Sequence, residues 1–279
     1  MAIFLAALCA VTYGVADYCG SRASRSVAST VVTLLGQATS LVLVVVGVVI
    51  IGTPLASAHD LWWGAAGGAA GGLALICFYR ALSHGAMTVV APTTAVVSAV
   101  LPVVVGVVQG ERPSGPALVG IVLACLAVAL VGGAIGTRHG HTSITTVMLA
   151  VVAGVGFGFI FVAFARTADD SGLWPLVAAR AASVPVVAVV IGVTRPGRGA
   201  IRAVVWLVVA SGVLDMAANL FYLEASHRGL LSIVAVISSM YPVSTVCLAF
   251  GLDHERVSKS QAVGLACAAT ALALVSLGS

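Results

Sequence analysis

Ten apolar runs, each about as long as a lipid bilayer is thick, leave this chain very few ways to fold. A helix rises about 1.5 Å per residue, so crossing a hydrocarbon core about 30 Å thick takes about 20 mostly apolar residues. Segments 2–21, 29–51, 61–82, 86–108, 115–136, 144–165, 174–193, 203–226, 230–250 and 260–277 satisfy this. The connectors, among them "SRASRS", "GERPSGP", "TADDSG" and "DHERVSKS", carry turn residues or charge, and none is long enough for a soluble domain. Charged residues are only 8% of the chain, against about a quarter in a soluble domain, so most of its surface is not made for water. The fold expected is an all-α membrane protein with ten transmembrane helices, an integral, multi-pass protein of a bacterial plasma membrane.

The order of the runs carries a second message. "FYRALSHG" begins at Phe78 and "FYLEASHRG" at Phe221. With Arg228 as a one-residue insertion, Gly85 pairs with Gly229 and "GERPS" (110–114) lies over "HERVS" (254–258); Gly14 and Gly158 keep the same offset. The chain reads as two five-helix units, 1–138 and 139–279, forming one compact bundle. An odd number of spans per unit makes the second enter the membrane from the opposite side, giving two inverted repeats about a pseudo-two-fold axis in the membrane plane, an arrangement suited to alternating access.

These features resemble a known family. Two five-helix repeats, each closing with a Gly-Glu-like turn and a final Gly-containing helix, are similar to the EamA group of the drug/metabolite transporter superfamily, as is the opening "TYGVADYCGSRASR". The second half has the group's proline thirteen residues before the loop glutamate, Pro242 before Glu255. The first half departs from this, with Ser98 at that place and Pro102 one turn on. The resemblance implies a ten-helix carrier for small metabolites, amino acids or drugs, moved outward.

Ionisable residues inside apolar runs are the strongest functional hints, because each costs about 2.5–3.5 kcal/mol near the bilayer centre unless paired or wetted. Asp215 stands near the middle of the eighth run, where the first half has Gly72; it reads either as a coupling or substrate-binding group or as the structural partner of Arg180. Arg180, in the seventh run, aligns with Gln37 of the second. Its planar fork suits a substrate carboxylate, or else it neutralises Asp215 or Asp17. Asp17 lies towards the end of the first run, where Arg22 or Arg25 could satisfy it at the interface. With Gln37, Tyr13, Tyr241, Asn219 and Ser238 these make the candidate substrate and coupling set. Pro92, Pro102, Pro185 and Pro242 interrupt spans and mark the fourth, seventh and ninth as cavity walls.

Other motifs have simpler readings. His84 and His227 close tight helix-helix turns; a proton relay through His84, His227 and Glu224 is the alternative, since histidine titrates near neutral pH. Glu111 and Glu255 precede helices and read as caps. "GAAGGAAGG" (64–72) places Gly64, Gly68 and Gly72 on one stripe for close helix packing. The "HGH" at 139–141 reads as linker, and the six cysteines, all in apolar runs, as packing residues, so no metal or cofactor is expected. Scattered basic residues give no nucleic-acid footprint. The only adjacent acidic pair, Asp169-Asp170, sits in a connector, which argues against an enzyme. A membrane-embedded enzyme and a non-transporting subunit are the rival classes.

Nine basic residues near span ends fall on the side of the first connector and three on the other, so the positive-inside rule puts both termini outside. Related ten-helix carriers are often drawn with both inside. The partners expected are a small-molecule substrate, protons and the lipid bilayer, with the protein a monomer or homodimer.

Overall fold

The computed structural model describes residues 1–84, 87–131, 143–197, 201–252 and 258–277. Among these there is no strand. The helices are α1 (Ala2–Ser24), α2 (Ser29–Ile51), α3 (Ala58–His84), α4 (Met87–Val108), α5 (Gly115–Val131), α6 (Ile144–Phe164), α7 (Trp174–Thr194), α8 (Ile201–Ser226), α9 (Leu231–Ser238), α10 (Tyr241–Leu252) and α11 (Lys259–Leu277). Among the described residues α1, α2, α3, α6, α7 and α8 are long and apolar enough to cross a membrane, and α4, α5, α9 with α10, and α11 contribute shorter apolar stretches.

Local sequence sets the ends. Ser143 caps α6 by accepting from the Thr146 amide at 3.2 Å. Ser258 accepts from the Gln261 amide at 3.2 Å while Gln261 Oε1 accepts from the Ser258 amide at 2.8 Å, a reciprocal cap that starts α11. Gly52, at φ 69°, ends α2 in the left-handed conformation that glycine adopts without a Cβ penalty.

Small residues decide which helices touch. A Cβ at Gly64, Gly68 or Gly72 would run into Pro175, Ala179 or Ser183 of α7 respectively, so the expected stripe on α3 lies flat along the facing turns of α7. Gly36 of α2 meets Gly212 of α8 in the same way, and Ser40 Oγ donates to the Gly212 carbonyl at 2.6 Å. The most extensive pairings are α1 with α8, α3 with α6 and α7, α4 with α6, and α5 with α11. Large apolar side chains meanwhile point outward, among them Val42, Val45, Val46, Val49 and Ile50 of α2, the surface that acyl chains would cover.

The ninth run is not one helix. The chain turns at Ser239 and Met240, where the Met240 amide reaches the Ile237 carbonyl at 3.1 Å and the Val243 amide the Met240 carbonyl at 2.9 Å. Pro242 has no N–H to return to the Ser238 carbonyl, so one rung of the α-helical ladder is missing there. Proline alone does not dictate this, since α4 runs unbroken through Pro102 and α7 through Pro185.

Glu111 also departs from expectation. It does cap a helix, but not its own: Oε1 and Oε2 accept from the Leu231 and Ser232 amides, at 2.6 and 3.0 Å, at the start of α9, 120 and 121 residues away. The α5 start is served by Ser114, whose Oγ accepts from the Ala117 amide at 3.3 Å. Glu255 and the "HGH" at 139–141 lie outside the described residues.

Candidate functional site

Arg180, on the second turn of α7, is 3% exposed, and each of its terminal nitrogens has a partner. One donates to Gln37 Oε1 of α2 at 2.9 Å and the other to Asp215 Oδ2 of α8 at 2.5 Å. Ser183, one turn along α7, donates to the same Gln37 oxygen at 2.8 Å. Asn219, one turn after Asp215, donates through its amide to the Asp215 carbonyl at 2.7 Å. The pairing of Arg180 with Asp215, one of the two sequence readings, is the one the geometry adopts. A buried guanidinium and a half-buried carboxylate in hydrogen-bond contact offset part of each other's desolvation cost, and so both can sit inside a helical bundle.

These groups form one wall of a cavity of about 600 Å³, counting its open side. Asp215, Arg180, Asp17, Gln37, Tyr13, Tyr241 and Asn219 of the expected set line it together. Elements from both halves supply the lining: α1 to α4 from the first, α6 to α8 and α10 from the second. Asp17 does not pair at an interface. Arg22 donates to the Tyr18 hydroxyl at 3.0 Å instead, and the Asp17 carboxyl faces inward with Asp215 as its electrostatic neighbour.

Other expected residues fall elsewhere. Ser238, fully buried at the end of α9, lies beside Cys9 and not on the cavity. His227 reaches Thr167 Oγ1 at 3.0 Å and Asp169 at 3.9 Å across the connector after α6, and Glu224 pairs with Arg228 on its own exposed helical face. Both are outside the cavity, and the His84 side chain lies outside the described residues.

Sequence reasoning missed Ser98, Leu75 and Phe157 on the cavity wall, and Ser183 behind it. For Ser183 a signal existed, since it follows Arg180 by three positions and so shares its helix face. The apolar residues gave none, because a cavity-facing Phe and a lipid-facing Phe look alike in a membrane helix.

Bilayer-length helices with apolar exteriors, closed around an inward-facing ion pair and a cavity, mark a multi-pass membrane protein. Residues 144–277 match the EamA-like transporter family, so the resemblance read from the sequence holds over the second half of the chain. One protein known from a crystal structure is 18% identical and superposes with a TM-score of 0.76, over 98% of this chain and 96% of its own. At that identity the likeness speaks for the fold, and it does so along the whole length. The comparison with curated proteins returns no match.

Proposed function

We propose that the chain is a proton-coupled secondary carrier that exports small metabolites, amino acids or drugs by alternating access between two oppositely inserted repeats, 1–138 and 139–279. The observation that carries this reading is the cavity shared by helices of both halves, largely apolar but with the Arg180–Asp215 pair and Asp17 on its wall. The described contacts support the repeat. Gln37 and Arg180, equivalent positions of the two halves, are hydrogen-bonded to each other. Gly14 of α1 packs against Tyr241 and Ser244 of α10, and its counterpart Gly158 of α6 packs against Ser98 and Leu101 of α4. The extensive pairing of α1 with α8 has its exchange partner in α3 with α6.

Of the bonds that cross between the halves, two lie at the cavity. Arg180 and Asp215 both belong to the second half and would move together. The bonds from Arg180 and Ser183 to Gln37 cross between halves, as does the facing of Asp17 on α1 towards Asp215 on α8. Rocking would exchange those two hydrogen bonds for contacts with solute or water. A proton on Asp17 would remove the like-charge repulsion with Asp215 and so couple its uptake to the change of state.

Counterflow in vesicles reconstituted with the purified protein, loaded with a metabolite mixture, tests the reading. A carrier exchanges solute unchanged, an enzyme alters it, and a structural subunit does neither. Asp215→Asn and Arg180→Gln are each expected to lower exchange at least tenfold and to change its pH dependence. Full exchange with an unchanged pH profile in both would remove these residues from the mechanism.

A further inference from the structure

The cavity has a charge imbalance that bears on what it can hold. Its lining contains two carboxylates, Asp17 and Asp215, and one guanidinium, Arg180, whose terminal nitrogens are already engaged by Gln37 and Asp215. Asp17 makes no hydrogen bond or ion pair among the described residues, and it shares the linings of both spaces with the other carboxylate. A second, smaller space of about 350 Å³ adjoins the first, sharing Asp17, Asp215, Gln37 and Leu75 with it. Its lining includes both carboxylates and no basic residue.

Polar atoms without partners point the same way. Thr33, on the wall of the smaller space, is 3% exposed, and its hydroxyl has no partner. Asn219, on the wall of the larger, is 2% exposed with its side-chain carbonyl oxygen unpaired, and the Tyr241 hydroxyl is unpaired as well. Most of these are acceptors or can act as acceptors. Arg180 spends one N–H on Gln37 and one on Asp215, so the donors it has left lie beside a carboxylate already paired with it. Tyr13, Phe157, Phe161 and Tyr241 supply aromatic walls on the larger side.

Resting on the carrier reading, we propose that the site takes a solute with one positively charged ammonium head on an apolar, preferably aromatic, body. The head sits between Asp17 and Asp215 in the smaller space, within reach of the Thr33 hydroxyl. The body lies in the larger space against the aromatic side chains, whose faces attract cations and apolar groups alike. An anionic solute meets an uncompensated carboxylate and must compete with Asp215 for the one guanidinium.

Three probes of one shape, 2-phenylethylammonium, 3-phenylpropionate and 2-phenylethanol, test this by calorimetric titration of the full chain in lipid nanodiscs at pH 7. The ammonium is expected to bind at least tenfold more tightly than either of the others. Asp17→Asn is expected to cost it at least tenfold, while Asp17→Glu, which keeps the charge, stays within threefold. Equal or tighter binding of the carboxylate or the alcohol overturns the proposal, as does no saturable binding of the ammonium, and the ranking in the unaltered protein decides even if a variant does not fold. Ammonium binding that needs Asp17 but gives no vesicle exchange would sink the carrier reading and leave this site standing. Exchange of anionic solutes would do the reverse.

Discussion

Replacing Arg180 by Met should tell whether the ion pair is the keystone of the site or a passive neighbour. Two unit charges about 4 Å apart attract by about 4 kcal/mol at an effective dielectric of about 20. The Arg180 side chain is 4% exposed, but that of Asp215 is 25% exposed, so water screens one end and about 2 kcal/mol of coupling is a fair expectation. Removing Arg180 alone leaves a carboxylate facing Asp17 with nothing to balance either, and the cost should reach about 3 kcal/mol, in the range for breaking buried pairs. Replacing Asp215 by Leu as well removes the orphaned charge, while Ser183 still holds Gln37. The Arg180→Met/Asp215→Leu protein should therefore be at least as stable as the Arg180→Met protein and within about 2 kcal/mol of the original. A double-mutant cycle by SDS-induced unfolding in mixed micelles, followed by tryptophan fluorescence, measures these terms. Strictly additive single effects, or an Arg180→Met loss below about 0.5 kcal/mol, would refute the reasoning.

Other expectations are as direct. Gly68→Leu places a side chain where the Ala179 backbone already lies, so α3 and α7 must separate; the loss should be about 3 kcal/mol or more, seen as a lower melting temperature by fluorescence-detected size exclusion. Glu111→Ala leaves the first amides of α9 uncapped at about 1–2 kcal/mol, and hydrogen exchange at Leu231 and Ser232 should quicken roughly tenfold while α5 is unaffected. Tyr222→Phe removes the bond from the Tyr222 hydroxyl to the Phe161 carbonyl, 3.1 Å long, but keeps the ring stack; stability should fall by about 1 kcal/mol with solute exchange unchanged. Reporter fusions active only in the cytoplasm should be silent at either terminus and active in the first connector if the charge count governs orientation.

Much of this molecule can be read from its residues because bilayer physics is strict. A run must be apolar and long, so helix bounds such as Ile144–Phe164 and Trp174–Thr194 match the sequence expectation within a residue or two. A charge inside such a run must face something polar, and Asp215 and Arg180 do face inward, paired on the wall of one cavity. Partner choice was harder. Arg180 with Asp215 or with Asp17 was equally compatible with the sequence, and only the crossing of α7 and α8 put Arg180 beside Asp215. The α9 break was equally hidden, since Pro102, Pro185 and Pro242 look the same in sequence while their tertiary settings differ. Glu111 misled for a similar reason. A carboxylate beside a helix start predicts a cap, but nothing local says the capped helix is more than a hundred positions further on.

That long-distance clasp has a consequence for the working cycle. The loop of one half holds the short upper piece of a divided helix in the other, whereas α4, the matching element of the first half, is a single rod. If the chain works as the carrier proposed above, one of its moving leaves is jointed and the matching one is stiff. Its two open forms would not be mirror equals in energy, so the empty protein would favour one orientation and its apparent affinity for solute would differ between the two sides, while the gradients alone set the direction of net flow.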